Sequence, residues 1–123
     1  MSERPLISVV DDDESVRESL PDLLNEFGFE SQTFSSAEEF LASESMANTN
    51  CLVLDVAMPG MTGPDLQQEL KLREQSIPIV FITAQRDAAA RLRLIAAGAV
   101  ECLFKPFEPT DLLNALTAAL RAG

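Results

Sequence analysis

The chain has 123 residues, 46% hydrophobic and 24% charged, enough for one domain that buries about two-thirds of its unfolded surface. Twenty acidic against 9 basic residues give a net charge of −11, which repels phosphate backbones and anionic lipid, so neither nucleic acid nor membrane is an expected direct partner. Histidine is absent, which excludes histidine-activated nucleophiles, histidine metal ligation and histidine acid–base work.

The first apolar run, Leu6 to Val10, reads as a strand and ends in Asp11-Asp12-Asp13. Val16, Leu20, Leu23, Leu24 and Phe27 then recur at helical spacing, with Gly28 as the stop. Pro21 falls inside that helix, where it costs a hydrogen bond. Phe29–Phe34 is a second, more polar strand. Ser36-Ala37-Glu38-Glu39 reads as a capping box opening a short helix through Phe40 and Leu41, followed by a polar loop from about Ser43 to Asn50.

The third strand, Cys51 to Leu54, closes on Asp55. Met58-Pro59-Gly60-Met61-Thr62-Gly63 is a turn-rich loop, and Pro64 suits the first position of a third helix with Leu66 and Leu70 inward. Ile77–Ile82 is a strand ending in Thr83, and a fourth helix spans Asp87 to Ala97 before Gly98. Val100–Phe104 is the fifth strand, followed by Lys105-Pro106. A last helix after Pro109 carries Leu112, Leu113, Leu116 and Leu120 on one face.

Five strands alternating with five helices predict an α/β fold, a doubly wound parallel sheet covered on both faces. Strand two is polar enough for an edge, and right-handed crossovers then favour the order 2-1-3-4-5, a flavodoxin-like three-layer arrangement. Ligands in such sheets bind beyond the carboxyl ends, where the order reverses between strands one and three. Asp11, Asp12 and Asp55 stand there. The cysteines, Cys51 and Cys102, sit within apolar runs without metal-type spacing and read as buried free thiols. No signal peptide or membrane-spanning stretch is evident, so residues 1–123 are expected to form one cytoplasmic domain.

Three carboxylates within ~5 Å repel by roughly 3 kcal/mol per pair at an effective dielectric of about 20. Such a cluster must protonate, face water or hold a cation. Hard oxygen donors without imidazole or thiolate select Mg²⁺, with Mn²⁺ as an alternative. Asp11 and Asp12 read as metal-directed and Asp13 as a helix cap. Lys105, one of two lysines, would complete an anion site beside the acids, although a lysine in so apolar a setting ordinarily reaches out to solvent. Thr83 ends strand four; a hydroxyl bonded to backbone is its ordinary role.

Across essentially its full length, the chain resembles the receiver domain of two-component response regulators. The residues that carry the likeness are Val9-Val10-Asp11-Asp12, Leu54-Asp55 with Met58-Pro59-Gly60-Met61-Thr62-Gly63, Thr83-Ala84 and Lys105-Pro106-Phe107. The resemblance implies that Asp55 accepts a phosphoryl group from a histidine kinase or phosphotransfer protein. It implies direct Mg²⁺ ligation by Asp12, Asp55 and the backbone carbonyl of Ala57, with Asp11 assisting through water. Lys105 would pair with the carboxylate and then the phosphoryl group, Lys105-Pro106 would be a cis peptide, and Thr83 would move to the phosphoryl oxygen.

The expected function is therefore a phosphorylation-driven switch in a phosphorelay, a self-phosphorylating and self-dephosphorylating acceptor rather than a turnover enzyme. An output domain or partner protein, and dimerisation on phosphorylation, are compatible with it. So are a free-standing regulator and one piece of a longer protein. Two other readings compete. A phosphorylation-independent interaction module would not need Asp11, Asp12, Asp55, Thr83 and Lys105 together. A Mg²⁺-dependent aspartyl phosphatase generally needs a further acid at the position of Ala57.

The chain departs from the family at Cys102, where an aromatic ring usually turns inward on activation. Either output runs through helix four and the loop before it, or Phe104 or Phe107 fills the space. Ala57 and Gln85 occupy positions that tune hydrolysis in the family.

Overall fold

The computed structural model describes residues 4–122. Five strands form one parallel sheet in the order β2-β1-β3-β4-β5, as the sequence predicts. They are β1 (Leu6–Val10), β2 (Glu30–Phe34), β3 (Cys51–Asp55), β4 (Ile79–Thr83) and β5 (Glu101–Phe104). The helices are α1 (Glu14–Glu26), α2 (Ala37–Leu41), α3 (Gly63–Leu72), α4 (Ala88–Ala96) and α5 (Pro109–Ala122). Residues 1–3 and 123 of the expected domain lie outside the described residues.

Side-chain alternation along the strands divides the core into two layers. Val10, Leu52, Leu54, Ile79, Phe81 and Cys102 face one side and pack with Phe40, Leu66, Leu70 and Leu94 from α2, α3 and α4. Ile7, Val9, Cys51, Val53, Val80 and Ile82 face the other and pack with Leu20, Leu24, Leu112 and Leu116 from α1 and α5. β3 and β4 are buried throughout, whereas β2 alternates exposed and half-buried positions until Phe34, as an edge strand should.

Asp13 acts as read, and the structure adds caps at α3 and α4. Asp13 is the N-cap of α1, its carboxylate accepting from Ser15 N–H at 3.0 Å. Thr62 and Asp65 form a reciprocal capping box on α3, and Asp87 caps α4 through the N–H groups of Ala89 and Ala90. The box at α2 is a correction. Ser36 does accept from Glu39 N–H, but Glu39 reaches one residue further back, to Ser35 N–H at 3.1 Å.

The expected loop at Ser43–Asn50 contains a 3₁₀ turn over Glu44–Asn48. It brings Thr49 against the buried Ser8 of β1, their hydroxyl oxygens 2.6 Å apart. α1 runs through Pro21 unbroken, and nothing in the structure explains why a proline stands there. β4 begins at Ile79, not Ile77, because Pro78 has no N–H to give the ladder; its carbonyl still accepts from Leu52 N–H at 2.9 Å.

Gly63 sets how closely α3 approaches β3. A Cβ there would lie 2.4 Å from the backbone oxygen of Asp55 and 3.0 Å from Phe81, so backbone must shift to admit it. Gly63→Ala is expected to destabilise the fold by about 2 kcal/mol or more, read as a lower urea midpoint at unchanged slope. A midpoint equal to the parent's would show that the close approach is not required.

Candidate functional site

Strands pointing the same way deliver their last residues to one edge of the sheet. β1 ends beside Asp11 and Asp12, β3 on Asp55, β4 on Thr83, and Lys105 follows β5. One carboxylate oxygen from each of Asp11, Asp12 and Asp55 comes within 4.8 Å of the others. Asp11 has no solvent exposure and Asp55 has 6%, whereas Asp12 is exposed.

Asp11 is held from three directions. Its Oδ1 accepts from Asp13 N–H at 2.9 Å, its Oδ2 accepts from Lys105 Nζ at 2.9 Å, and its carbonyl accepts from Arg17 Nη1 at 2.9 Å. Lys105 also stands 3.7 Å from Asp55 Oδ1. The lysine thus bridges two buried acids and does not escape to solvent.

The electrostatics follow from this crowding. Burial, then repulsion from Asp11, push the Asp55 carboxyl up from 3.8 to about 7, against the opposing pull of Lys105. Burial works to lower the Lys105 ammonium, but its hydrogen bond to Asp11 and the charges of Asp55, Asp11 and Asp13 win, and the net direction is upward. Asp13, outside the buried part of the cluster, is lowered by its hydrogen bonds to the Ser15 side chain and N–H.

The donor set suits a hard divalent cation. Carboxylate oxygens within 4.8 Å of one another could hold one Mg²⁺, which takes oxygen ligands and keeps several waters. Histidine is absent from the chain, and the two cysteines are buried in the core layers, Cys51 being pushed up to about 12 by burial. Neither supplies a competing soft ligand. Ala57 lies in the exposed loop two residues past Asp55, and its carbonyl accepts no hydrogen bond from the described residues.

Thr83 is buried, and its hydroxyl oxygen accepts from Gln85 N–H at 3.1 Å, the backbone role expected of a strand-terminal threonine. Lys105-Pro106 is cis, as the resemblance implies. Cys102 is 2% exposed and packs in the layer with Leu94 and Phe81. A cavity of about 320 Å³ opens beside it, with Phe104 and Phe107 in the wall. Two arginines cross from the α4 side. Arg91 donates to the Cys102 carbonyl at 3.1 Å and pairs with Glu101, and Arg86 lies 5.7 Å from the centre of the Phe104 ring.

On the other face, Val16, Ser19, Leu20 and Leu23 of α1 join Pro106 and Phe107 around an apolar groove of about 530 Å³ that reaches Lys105. Helical periodicity assigned Leu20 and Leu23 to the core. Leu23 is half-buried, and its groove is formed with a segment more than eighty positions away, which no local pattern foretells. No helix among the described residues is long and apolar enough to cross a membrane.

Comparison with known proteins agrees with the geometry. The family profile described as "Response regulator receiver domain" matches residues 7–117. The response regulator protein TodT of Pseudomonas putida is 42% identical over 122 residues, covering 98% of this chain and 54% of that protein. The chain therefore spans about half the length of such curated relatives. Among solved structures, the response regulator StyR superposes with a TM-score of 0.89 at 48% identity, over 98% of this chain and 61% of that one. The Vibrio cholerae chemotaxis protein CheY4 superposes with a TM-score of 0.85 at 30% identity, over 96% of this chain and 100% of that one. Sequence and fold thus match the same family over nearly the whole chain, and the chain belongs to the response regulator receiver domain family.

Proposed function

We propose that the chain is a phosphorylation-driven cytoplasmic switch of a phosphorelay, built as one domain, in which Asp55 accepts a phosphoryl group from the phosphohistidine of a histidine kinase or phosphotransfer protein. An Asp55 carboxylate oxygen attacks phosphorus in line, the donor's N–P bond breaks, and its electron pair returns to the imidazole nitrogen. The product is a mixed anhydride, labile enough to make the switch reversible.

Asp12, Asp55 and the Ala57 carbonyl would hold Mg²⁺ directly and Asp11 through water. The ion, when bound, supplies charge that keeps the acids ionised together and neutralises the phosphoryl oxygens. Lys105 adds a fixed positive charge beside Asp55 and turns it to the phosphoryl group. Thr83 exchanges its bond with Gln85 N–H for one to the phosphoryl oxygen and draws the loop before α4 with it. Because Cys102 offers no ring to rotate, that movement passes to α4 through Arg86 and Arg91, toward an output domain, a partner protein or a second copy of the chain.

The observation that carries this reading is Lys105 Nζ standing between Asp11 and Asp55, at 2.9 and 3.7 Å, beside a three-carboxylate cluster. Mass spectrometry after acetyl phosphate treatment tests it. A single phosphoryl adduct on Asp55, formed with Mg²⁺ and absent with EDTA, is expected; no adduct, or one on another residue, defeats the assignment.

The groove between α1 and Phe107 suits an apolar helix of the donor protein, because a ligand seated there lies next to Lys105. Leu23→Arg is expected to slow transfer from a cognate kinase about tenfold or more while leaving acetyl phosphate uptake unchanged. Equal loss with both donors would place the damage in the acceptor site instead.

A further inference from the structure

The loop from Val56 to Thr62 carries the Ala57 carbonyl, yet it has little to hold it. At its far end Gly63 N–H donates to the Val56 carbonyl at 3.0 Å, and Met58 is buried. Between these, Ala57, Met58, Pro59 and Gly60 make no hydrogen bonds among the described residues. Apart from Asp65, which closes the α3 capping box on Thr62 N–H, one side chain from outside reaches the loop. Glu38 of α2 places Oε2 at 3.2 Å from Met61 N–H and accepts its hydrogen bond.

The approach is close at Gly60, where a Cβ would stand 2.9 Å from Glu38 Oε2, the mobile end of that side chain; the φ of +73° is what favours glycine there. α2 is a firm base for the contact, since Ala37 and Phe40 on either side of Glu38 have no solvent exposure. Glu38 forms no ion pair among the described residues. An exposed glutamate in so acidic a chain would gain by turning to solvent, yet this one spends its carboxylate on the acceptor loop.

We infer that Glu38 is a positioning residue for the cation site, a tether from α2 that preorganises the loop presenting the Ala57 carbonyl. The inference rests on the proposed role of that carbonyl. Without the tether, loop order must be supplied when the cation binds, and affinity falls by the entropy of fixing those residues. Loss of such outer supports typically weakens metal sites 10- to 100-fold.

The test is the Mg²⁺ concentration giving half-maximal rise of the melting temperature, which reports binding without requiring phosphorylation. Glu38→Ala is expected to raise that concentration about tenfold. Glu38→Gln keeps an oxygen acceptor and loses only the charge, so it should stay within about twofold of the parent, well inside the scatter of such supports. Asp12→Asn marks the floor by abolishing most of the response. A Glu38→Ala midpoint equal to the parent's overturns the tether while leaving the cation site intact, even if melting in EDTA is lower. Equal weakening by Ala and Gln also overturns it, since charge would then be the cause. A parent protein whose melting ignores Mg²⁺ defeats the proposed site itself, and the tether with it.

Discussion

Replacing Asp55 with asparagine is expected to abolish phosphoryl uptake and, at the same time, to raise the melting temperature of the metal-free protein at pH 8. The first effect follows from chemistry, because an amide oxygen is too poor a nucleophile to form the anhydride. The second follows from the carboxyl's position near 7 in the fold, against an ordinary 3.8. A carboxyl whose folded value is raised binds extra protons in the folded state between those two pH values, so stability declines as pH rises from about 4 to about 7. Above that window the cost is fully present.

Full conversion of the rise gives an upper bound of about 4 kcal/mol. The rise is already net of the pull of Lys105 3.7 Å away; with relaxation and water screening around the site, a gain on the order of 2 kcal/mol is expected for the variant, or about 4–8 °C in Tm. Thermal melts of both proteins in EDTA at pH 5 and pH 8 decide the matter. The gap between the two proteins should be much smaller at pH 5 than at pH 8. A variant that melts lower than the parent at pH 8 would show that Asp55 is not held against its own charge. Mg²⁺ should reverse the ranking, since it stabilises the parent and finds one ligand fewer in the variant.

How much of this could be read before folding depends on the range of each interaction. The sheet order was legible because apolar runs and the polar β2 pattern are local signals, and parallel topology then carries Asp11, Asp55, Thr83 and Lys105 to one edge. The cap at Asp13 was legible for the same reason, since it bonds a backbone group two residues on. Glu38 and Glu39 were not distinguishable. Both stand in one helical turn, and only the tertiary placement of Met61 sends one to the loop while the other folds back on Ser35.

Ser8 likewise gave no sign in a strand of apolar residues, because its partner, Thr49, comes from a 3₁₀ turn that no strong periodicity marks. The clustering of carboxylates was expected from topology, but the elevated Asp55 was not, as it sums burial, Asp11 and Lys105 across three strand ends. At Cys102 the sequence left two outcomes open. The phenylalanines form the wall of the neighbouring cavity and Arg91 of α4 binds β5, an arrangement set by side-chain packing that sequence spacing does not encode.

Removing the lysine should damage the fold more than removing the acceptor. Lys105→Ala leaves Asp11, with no solvent exposure, without the cation 2.9 Å from its Oδ2. Breaking a buried pair from one side costs about 3–5 kcal/mol. The direction with pH is fixed by the group left behind. With Lys105 gone, Asp55 loses the charge that holds its carboxyl down, so the loss should be largest at pH 8 and shrink as acid protonates it. Urea unfolding in EDTA at pH 8 and pH 5 measures the difference, and a loss independent of pH would mean that Lys105 acts through its methylene packing alone.

Mg²⁺ should recover part of the stability at pH 8, because it offers the carboxylates another counter-charge, yet acetyl phosphate uptake should remain depressed by about 100-fold or more. Those two results together separate the lysine's work in holding the empty site from its work on the phosphoryl group. On the proposed function, the ammonium that makes an adverse cluster tolerable at rest would be the charge that the phosphoryl group captures, and its capture would leave Asp11 short of its partner, so that rearrangement would begin at this salt bridge.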